Sequence, residues 1–520
     1  MMRLLYKTKP AAEANRMRHS LTVQAIGMMF AKMVAFGLSL LLPLLLVRWL
    51  SQDQFGTYKQ IFLIITTAMN VLPFGVAMSA YYFLPRERER KGQVVFHILL
   101  FNMAAGALAC AALVLYPGLL EAIFNDPHLA GYSGLIGLTT MLWITSSFLE
   151  TVAVANQELR LASAFIISSQ FTKTSFLIIA ALFFTTVEAL IYAALVQGIL
   201  QTIILFYYLR SRFAAFWKEF NWPMMRTQFA YAMPFGLATM LMRVQFELDY
   251  FFVAFLFDPA AFAIYAIGRV NLPLIGILTE SVGAVTIPRV SQLQEQEKFR
   301  EILQLIAAMA RKLAAILFPL FVFLLLTGRD FIIVLYTAQY AASWPIFAIN
   351  LTLVPLRLVT SGCDPVIRAY AEHRYFLIRV RAVIFLASFA SLWLATTRFG
   401  MLGAVTVMVI TTAIERTILA IKVGRILNIK KRDAVLFKDL GKLAIAAIAA
   451  GAATLFVRAL VAGAAPPMVL AVCGVSFAAC YFAAILLLGI PTPGERRAVW
   501  RRVGQLQRFS PWKRATEPLA

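Results

Sequence analysis

Long apolar runs, broken at short intervals by charge, Pro and Gly, dominate the pattern of this chain. A helical run of about 17 residues or more is long enough to cross a hydrocarbon core of roughly 30 Å. Such runs lie near 21–47, 58–84, 94–117, 132–155, 162–184, 188–209, 228–257, 260–288, 313–327, 344–363, 375–396, 401–423, 441–462 and 467–490, the ninth extending to about 337 at most. They predict an all-α polytopic membrane protein with about 14 transmembrane helices. Composition agrees: 61% of residues are hydrophobic, 14% are charged, and the mean hydropathy is +0.78. A soluble protein of 520 residues needs more surface charge than that.

Charge changes the picture next. The formal net charge of +23 would suggest nucleic acid in a soluble protein. Here it follows topology. An even number of spans puts both termini on one side, and with the N-terminus inside, most of the 48 Lys and Arg fall on inner segments. These include Arg3 to Arg18, the Arg86–Lys91 run, the 210–226 and 289–312 loops, the 368–381 connection, the Lys422–Asp433 stretch and the basic tail from Pro491. Outer segments hold Arg48, Lys59, Arg329, Arg398 and Arg458. The expectation is a multi-pass protein of a bacterial cytoplasmic (inner) membrane with both termini cytoplasmic, in contact with membrane lipids and not with nucleic acid. No loop is long enough for a catalytic domain, and no cleavable signal peptide is expected, because the first apolar run is too long. Cys110, Cys363, Cys473 and Cys480 lie in or beside apolar runs and read as packing residues, and the four His are scattered singly, so neither a metal site nor a cofactor is expected.

The stretch Phe229–Arg269 carries the candidate chemistry. It is apolar and of membrane length, yet holds Arg243, Glu247 and Asp249, then turns through Asp258-Pro259 into another apolar run. A central ionised side chain costs about 2.5–3.5 kcal/mol to insert, so groups kept there face a protein-lined, hydrated space. Six cations lie inside the runs: Lys32, Lys173, Arg243, Arg269, Arg357 and Arg416; the acids available to them are Glu150, Glu247, Asp249, Glu280 and Glu415. Arg243 and Glu247, at i,i+4, share a helix face as an ion pair or a ligand site. Lys32 and Lys173 have no acid at helical spacing and are candidates for an anionic ligand, or for pairing with another helix. Arg357 and Arg416 lie within snorkelling reach of the inner surface. The candidate substrate-binding set is Lys32, Lys173, Arg243 and Arg269, with Glu247, Asp249 and Glu280 as cavity or coupling acids. Asn70, Pro73 and Gly75 read as a kink.

A weak internal echo suggests two halves. Leu50-Ser51-Gln52-Asp53-Gln54-Phe55-Gly56-Thr57-Tyr58 and Phe257-Asp258-Pro259-Ala260-Ala261-Phe262-Ala263-Ile264-Tyr265 each join two long runs by a tight turn, and each following run ends at a Pro-Arg pair, Pro85-Arg86 and Pro288-Arg289. Gly56 is expected to allow a positive-φ turn, and the two Tyr to sit in an interfacial aromatic belt. These residues resemble the polysaccharide-transporter branch of the multidrug/oligosaccharidyl-lipid/polysaccharide exporter superfamily, which includes O-antigen flippases. The resemblance covers roughly residues 15–490 and departs at Ala263, where a Gly is common. It implies two six-helix lobes around a central cavity, residues 1–210 and 211–424, two further helices over 425–490, and a basic cytoplasmic tail over 491–520.

What the resemblance implies about function is a transporter, not an enzyme. It would flip a polyprenyl-pyrophosphate-linked oligosaccharide from the inner to the outer leaflet by alternating access, for lipopolysaccharide or exopolysaccharide biosynthesis, with polysaccharide polymerase machinery as a partner. A pyrophosphate needs Lys or Arg charge to leave the headgroup region, and six intramembrane cations against five acids suit an anionic cargo better than a cationic drug. The alternatives are a peptidoglycan-precursor lipid flippase and an ion-coupled multidrug exporter of the same superfamily.

Overall fold

Side chains that satisfy free backbone groups set where several helices begin. Ser51 accepts the Gln54 backbone N–H at 3.1 Å while the Gln54 side chain takes the Ser51 N–H at 3.0 Å, a reciprocal cap. Thr186, Asn221 and Asp258 accept from Ala189, Met224 and Ala261 in the same way. The computed structural model describes residues 11–490 apart from 88, 214–215, 219 and 370–373, and every regular element among them is helical.

In chain order the helices are α1 (Ala11–Trp49), α2 (Gln52–Val71), α3 (Ser79–Phe83), α4 (Lys91–Leu115), α5 (Gly118–Phe124), α6 (His128–Gly131), α7 (Ser133–Ser146) and α8 (Leu149–Ala155). Then come α9 (Leu159–Phe184), α10 (Val187–Arg212), α11 (Trp222–Leu256), α12 (Pro259–Gly268), α13 (Pro273–Glu295) and α14 (Phe299–Tyr336). The last are α15 (Trp344–Leu351), α16 (Leu353–Ala369), α17 (Arg374–Ile426), α18 (Lys438–Leu460) and α19 (Pro466–Leu487).

Among the described residues, ten helical segments are long and apolar enough to cross a membrane, or eleven if a bent pair counts as one span. The remaining runs of the sequence fall on helices of other character. The 228–257 run is α11, whose Arg243, Glu247 and Asp249 lower its hydropathy. The 260–288 run is split between the short α12 and α13. The 375–396 and 401–423 runs are the two arms of α17, broken at Gly400, where φ is 62°.

The chain divides into two compact units. The first holds the described residues up to Arg269 with Leu335–Ile346 and Ile378–Met408; the second holds Val270–Val334, Phe347–Leu377 and the described residues from Val409 on. A core of Phe83, Val94, Ile98, Phe148 and Leu205 lies in the first unit. In the second, Val290, Ile302, Val366 and Leu419 form one cluster. Leu443, Ala446 and Ala450 of α18 form another with Phe477 and Tyr481 of α19. The small residues let these two helices approach closely, which is how helices associate where lipid removes the hydrophobic drive.

The two echoing turns meet inside the first unit. Gly56 lies within α2 in ordinary helical conformation, not in the positive-φ turn expected of it. It is needed for a close approach: a Cβ there would overlap the Pro259 carbonyl at the start of α12. Tyr58 and Tyr265, expected in an interfacial belt, are buried against protein, 6% and 0% exposed. The Asn70–Pro73–Gly75 segment does break its helix. The two segments flanking it meet at 44°, with φ of +46° at Phe74 and +65° at Gly75. Asn70 returns its amide to the Thr66 carbonyl at 2.7 Å. The break nests on α11 just past Pro234: a Cβ on Gly75 would stand 3.0 Å from the Gly236 Cα, and one on Gly236 would overlap the Phe74 carbonyl.

Candidate functional site

Helical spacing in the first unit gathers polar groups from separate apolar helices. Ser169 and Lys173 of α9, and Gln197 and Gln201 of α10, are i,i+4 pairs that each share a helix face, and Ser146 and Glu150 stand at the same spacing across the short break between α7 and α8. These faces converge on a pocket of about 320 Å³, closed further by Ala35 of α1, Met69 of α2 and Trp143 of α7. Polar side chains gathered between apolar helices are costly to keep facing lipid, so they turn toward one another and toward the pocket.

Lys173 dominates the electrostatics. Its ammonium lies 4.4 Å from the Trp143 ring centroid and 5.7 Å from that of Phe62. No carboxylate stands within ion-pair distance of it among the described residues. Trp143 is fixed by an indole N–H bond to the Ala194 carbonyl at 3.1 Å and by an edge contact with Phe62. The ring therefore presents only its face, which attracts a cation without neutralising it. Lys32 of α1 has a partner: Glu150, at 3.5 Å, both side chains being largely exposed, 59% and 42%. That pairing brings Lys32 to the pocket whose wall Glu150 forms. Lys59 stacks on Phe55 and Tyr58 at 5.4 and 5.9 Å, and no ion pair to it forms among the described residues.

The other expected site residues lie elsewhere. Arg269, at the end of α12, meets Asp249 of α11 through two bonds, Nε–Oδ2 at 2.6 Å and Nη2–Oδ1 at 3.3 Å. Tyr265 donates to the same carboxylate at 2.5 Å. Asp249 is 0% exposed and Arg269 5%. The sequence expectation of a ligand-binding Arg269 thus meets a guanidinium that already has its carboxylate. Glu247 accepts from Thr67 of α2 at 2.5 Å; no ion pair joins it to Arg243 among the described residues, and Arg243 is exposed on α11. Glu280 lies on α13 in the second unit, and its side chain falls outside the described residues. No group of His, Cys, Asp and Glu able to hold a metal ion is found among the described residues.

Sequence reasoning found the charges and missed the neutral polar wall. The signal was present: Gln, Ser or Glu recurring at i,i+4 within apolar runs, in three successive helices. Lys59 was missed for another reason, being counted with an outer flank although α2 begins seven residues before it.

Residues 45–345 match the model of a family described as polysaccharide biosynthesis protein. No curated protein matches the chain. Among solved structures it is similar to the lipid II flippase MurJ in an inward closed conformation, at 14% identity and a TM-score of 0.67, covering 89% of this chain and 98% of that one. It is similar to a MATE family multidrug resistance transporter of the MOP superfamily in an inward-facing conformation, at 12% identity and a TM-score of 0.55, over 76% and 94% of the two chains. A third likeness is to a MOP superfamily transporter from Pyrococcus furiosus, at 11% identity and a TM-score of 0.52, over 79% and 96%. At these identities the likeness shows the fold alone: a polytopic all-α architecture.

Proposed function

The chain belongs to the polysaccharide biosynthesis protein family, and from that premise we propose that it is a flippase moving a polyprenyl-pyrophosphate-linked oligosaccharide from the inner to the outer leaflet for surface polysaccharide synthesis. The observation that carries this reading is Lys173: a cation within an apolar helix, lining a polar pocket, with no carboxylate at ion-pair distance among the described residues. A half-buried charge without a counter-ion is costly in an apolar setting unless a counter-charge arrives, and a diphosphate supplies one. Lys173 is the phosphate contact in this account. Lys32 exchanges Glu150 for the same diphosphate, and Lys59 and Arg243 are further cations along its route. Arg269 and Asp249 are read as a structural pair, while Glu247 and Glu280 stay as cavity or coupling acids.

The mechanism we propose is alternating access by rocking of the two lobes, 1–210 and 211–424. The break at Gly75, which nests against Gly236 of α11 just past Pro234, is suited to absorb the change, because helices bend most readily at Pro and Gly interruptions. The membrane is a bacterial inner membrane with both termini cytoplasmic. The likeness to a lipid II flippase favours one second reading, a peptidoglycan-precursor flippase, whose cargo would carry the same diphosphate. An exporter of cationic drugs fits an unneutralised Lys173 poorly.

Complementation separates these readings. In a strain lacking the gene, the intact chain is expected to restore surface polysaccharide. Lys173→Ala and Lys32→Ala are each expected to reduce it at normal protein level in the membrane. Normal export by both variants would remove these residues from the substrate site. Rescue of a strain lacking its wall-precursor flippase would favour the second reading.

A further inference from the structure

The polar pocket contains an amide that the phosphate reading leaves unexplained. Gln197 is 4% exposed and lines the pocket, yet its side chain makes no hydrogen bond to any described residue. Buried amides are almost always bonded, since leaving one unpaired forfeits its hydration without return. One turn further along α10, Gln201 lines the same wall, also without a protein partner among the described residues. Two adjacent amides, each with two donors and an acceptor, therefore line a pocket in which no described residue hydrogen-bonds them.

The opposite walls narrow the choice of occupant. Ser146 gives its hydroxyl hydrogen to the Leu142 carbonyl at 2.9 Å, which leaves its oxygen lone pairs to accept. The Trp143 N–H is bound to Ala194, so the indole offers the pocket its apolar face. The space thus combines free amides, an accepting hydroxyl and an aromatic face, with Lys173 at its edge. Hydroxyl groups that both donate and accept, on a ring with an apolar face, match that set; a purely apolar group does not, and a second anion would meet the Glu150 carboxylate that lines the same pocket. At about 320 Å³ the pocket is at the low end of the roughly 300–1,000 Å³ of small-molecule sites, room for a single sugar ring and not for a long glycan.

We infer that Gln197 and Gln201 form a subsite for the neutral pyranose bonded directly to the diphosphate, and so select the substrate by its first sugar. This rests on the flippase reading above, because the sugar next to the phosphate is the one within reach when the diphosphate meets Lys173. The sugars beyond it lie outside the pocket and go unread by it.

Binding to the purified full-length protein in lipid nanodiscs tests this with four probes: undecaprenyl diphosphate alone, and the same lipid carrying glucose, galactose or N-acetylglucosamine. The wild type is expected to bind at least one glycosylated probe about tenfold or more tighter than undecaprenyl diphosphate, as sites built to hydrogen-bond a hydroxyl discriminate strongly. Gln197→Leu and Gln201→Leu, close in volume to the amides they replace, are each expected to bring that ratio close to one. Thermal unfolding of each variant identifies a fold defect, and the less buried Gln201 keeps the test open if Gln197→Leu misfolds. Equal wild-type affinity for all four probes, or a ratio kept in both variants, overturns the sugar subsite alone. No binding of undecaprenyl diphosphate overturns the phosphate reading beneath it, and the sugar subsite with it.

Discussion

Two buried residues of the first unit expose how membrane depth treats polar side chains. Gln60 of α2 is 0% exposed, and neither its amide nitrogen nor its amide oxygen meets a partner among the described residues. Gln60→Met removes the unpaired group at similar volume and is expected to stabilise the protein by about 1–3 kcal/mol, read as a rise in the thermal unfolding midpoint in detergent. Asp249 is the opposite case. Its carboxylate holds Arg269 and Tyr265, and Asp249→Leu leaves a buried guanidinium uncompensated, at a cost of about 3–5 kcal/mol. The double variant Asp249→Leu with Arg269→Met is expected to recover much of that loss. If the single variant is as stable as the wild type, the pair is not structural. Sequence disclosed both ionised groups but not their union. The partners stand twenty positions apart across the Asp258–Pro259 turn, beyond the reach of any helical spacing rule. Lys173 was legible because a lone cation in an apolar run needs a reason; Gln197 was not, because a neutral amide in the same setting raises no alarm in a charge count.

At the scale of elements, the informative residues are glycines at crossings. Gly56 abuts the Pro259 carbonyl and Gly236 abuts the Phe74 carbonyl, so Gly56→Ala and Gly236→Ala force apart helices that touch, at about 1–3 kcal/mol each. Gly37 of α1 has nothing within 4 Å of the position its Cβ would take, and Gly37→Ala is expected to be neutral or to stabilise by up to about 1 kcal/mol. Unfolding midpoints of the three variants check the contrast; similar values for all would mean that the close crossings do not constrain the fold. The sequence showed the turn motifs and the kink, since Pro, Gly and capping residues act locally. It misjudged what Gly56 and the two Tyr were for, because the reason lies on a different helix. The long apolar helices were likewise legible, but the stretch read as a 289–312 loop is largely helix, in α13 and the start of α14, because its charged residues hide a helix from a hydropathy reading; the sequence also separates two runs that α17 carries as arms on either side of Gly400.

At the scale of the molecule, hydropathy and charge gave the class of protein directly: apolar runs of membrane length leave few alternatives once the chain is too poor in charge to be soluble. They did not give the grouping of helices, since a compact unit that takes in Leu335–Ile346 and Ile378–Met408 with the first 269 residues depends on contacts distant in sequence. The central claim concerns an anionic lipid and Lys173, and reconstituted transport tests it most directly. Purified protein in liposomes carrying a fluorescent, sugar-bearing undecaprenyl diphosphate is expected to move that lipid between leaflets. Lys173→Ala should slow this at least about tenfold, the loss of one charge-assisted contact, while Lys173→Arg should retain it. Transport by Lys173→Ala at the wild-type rate, or no movement of this lipid by the wild type, would contradict the account.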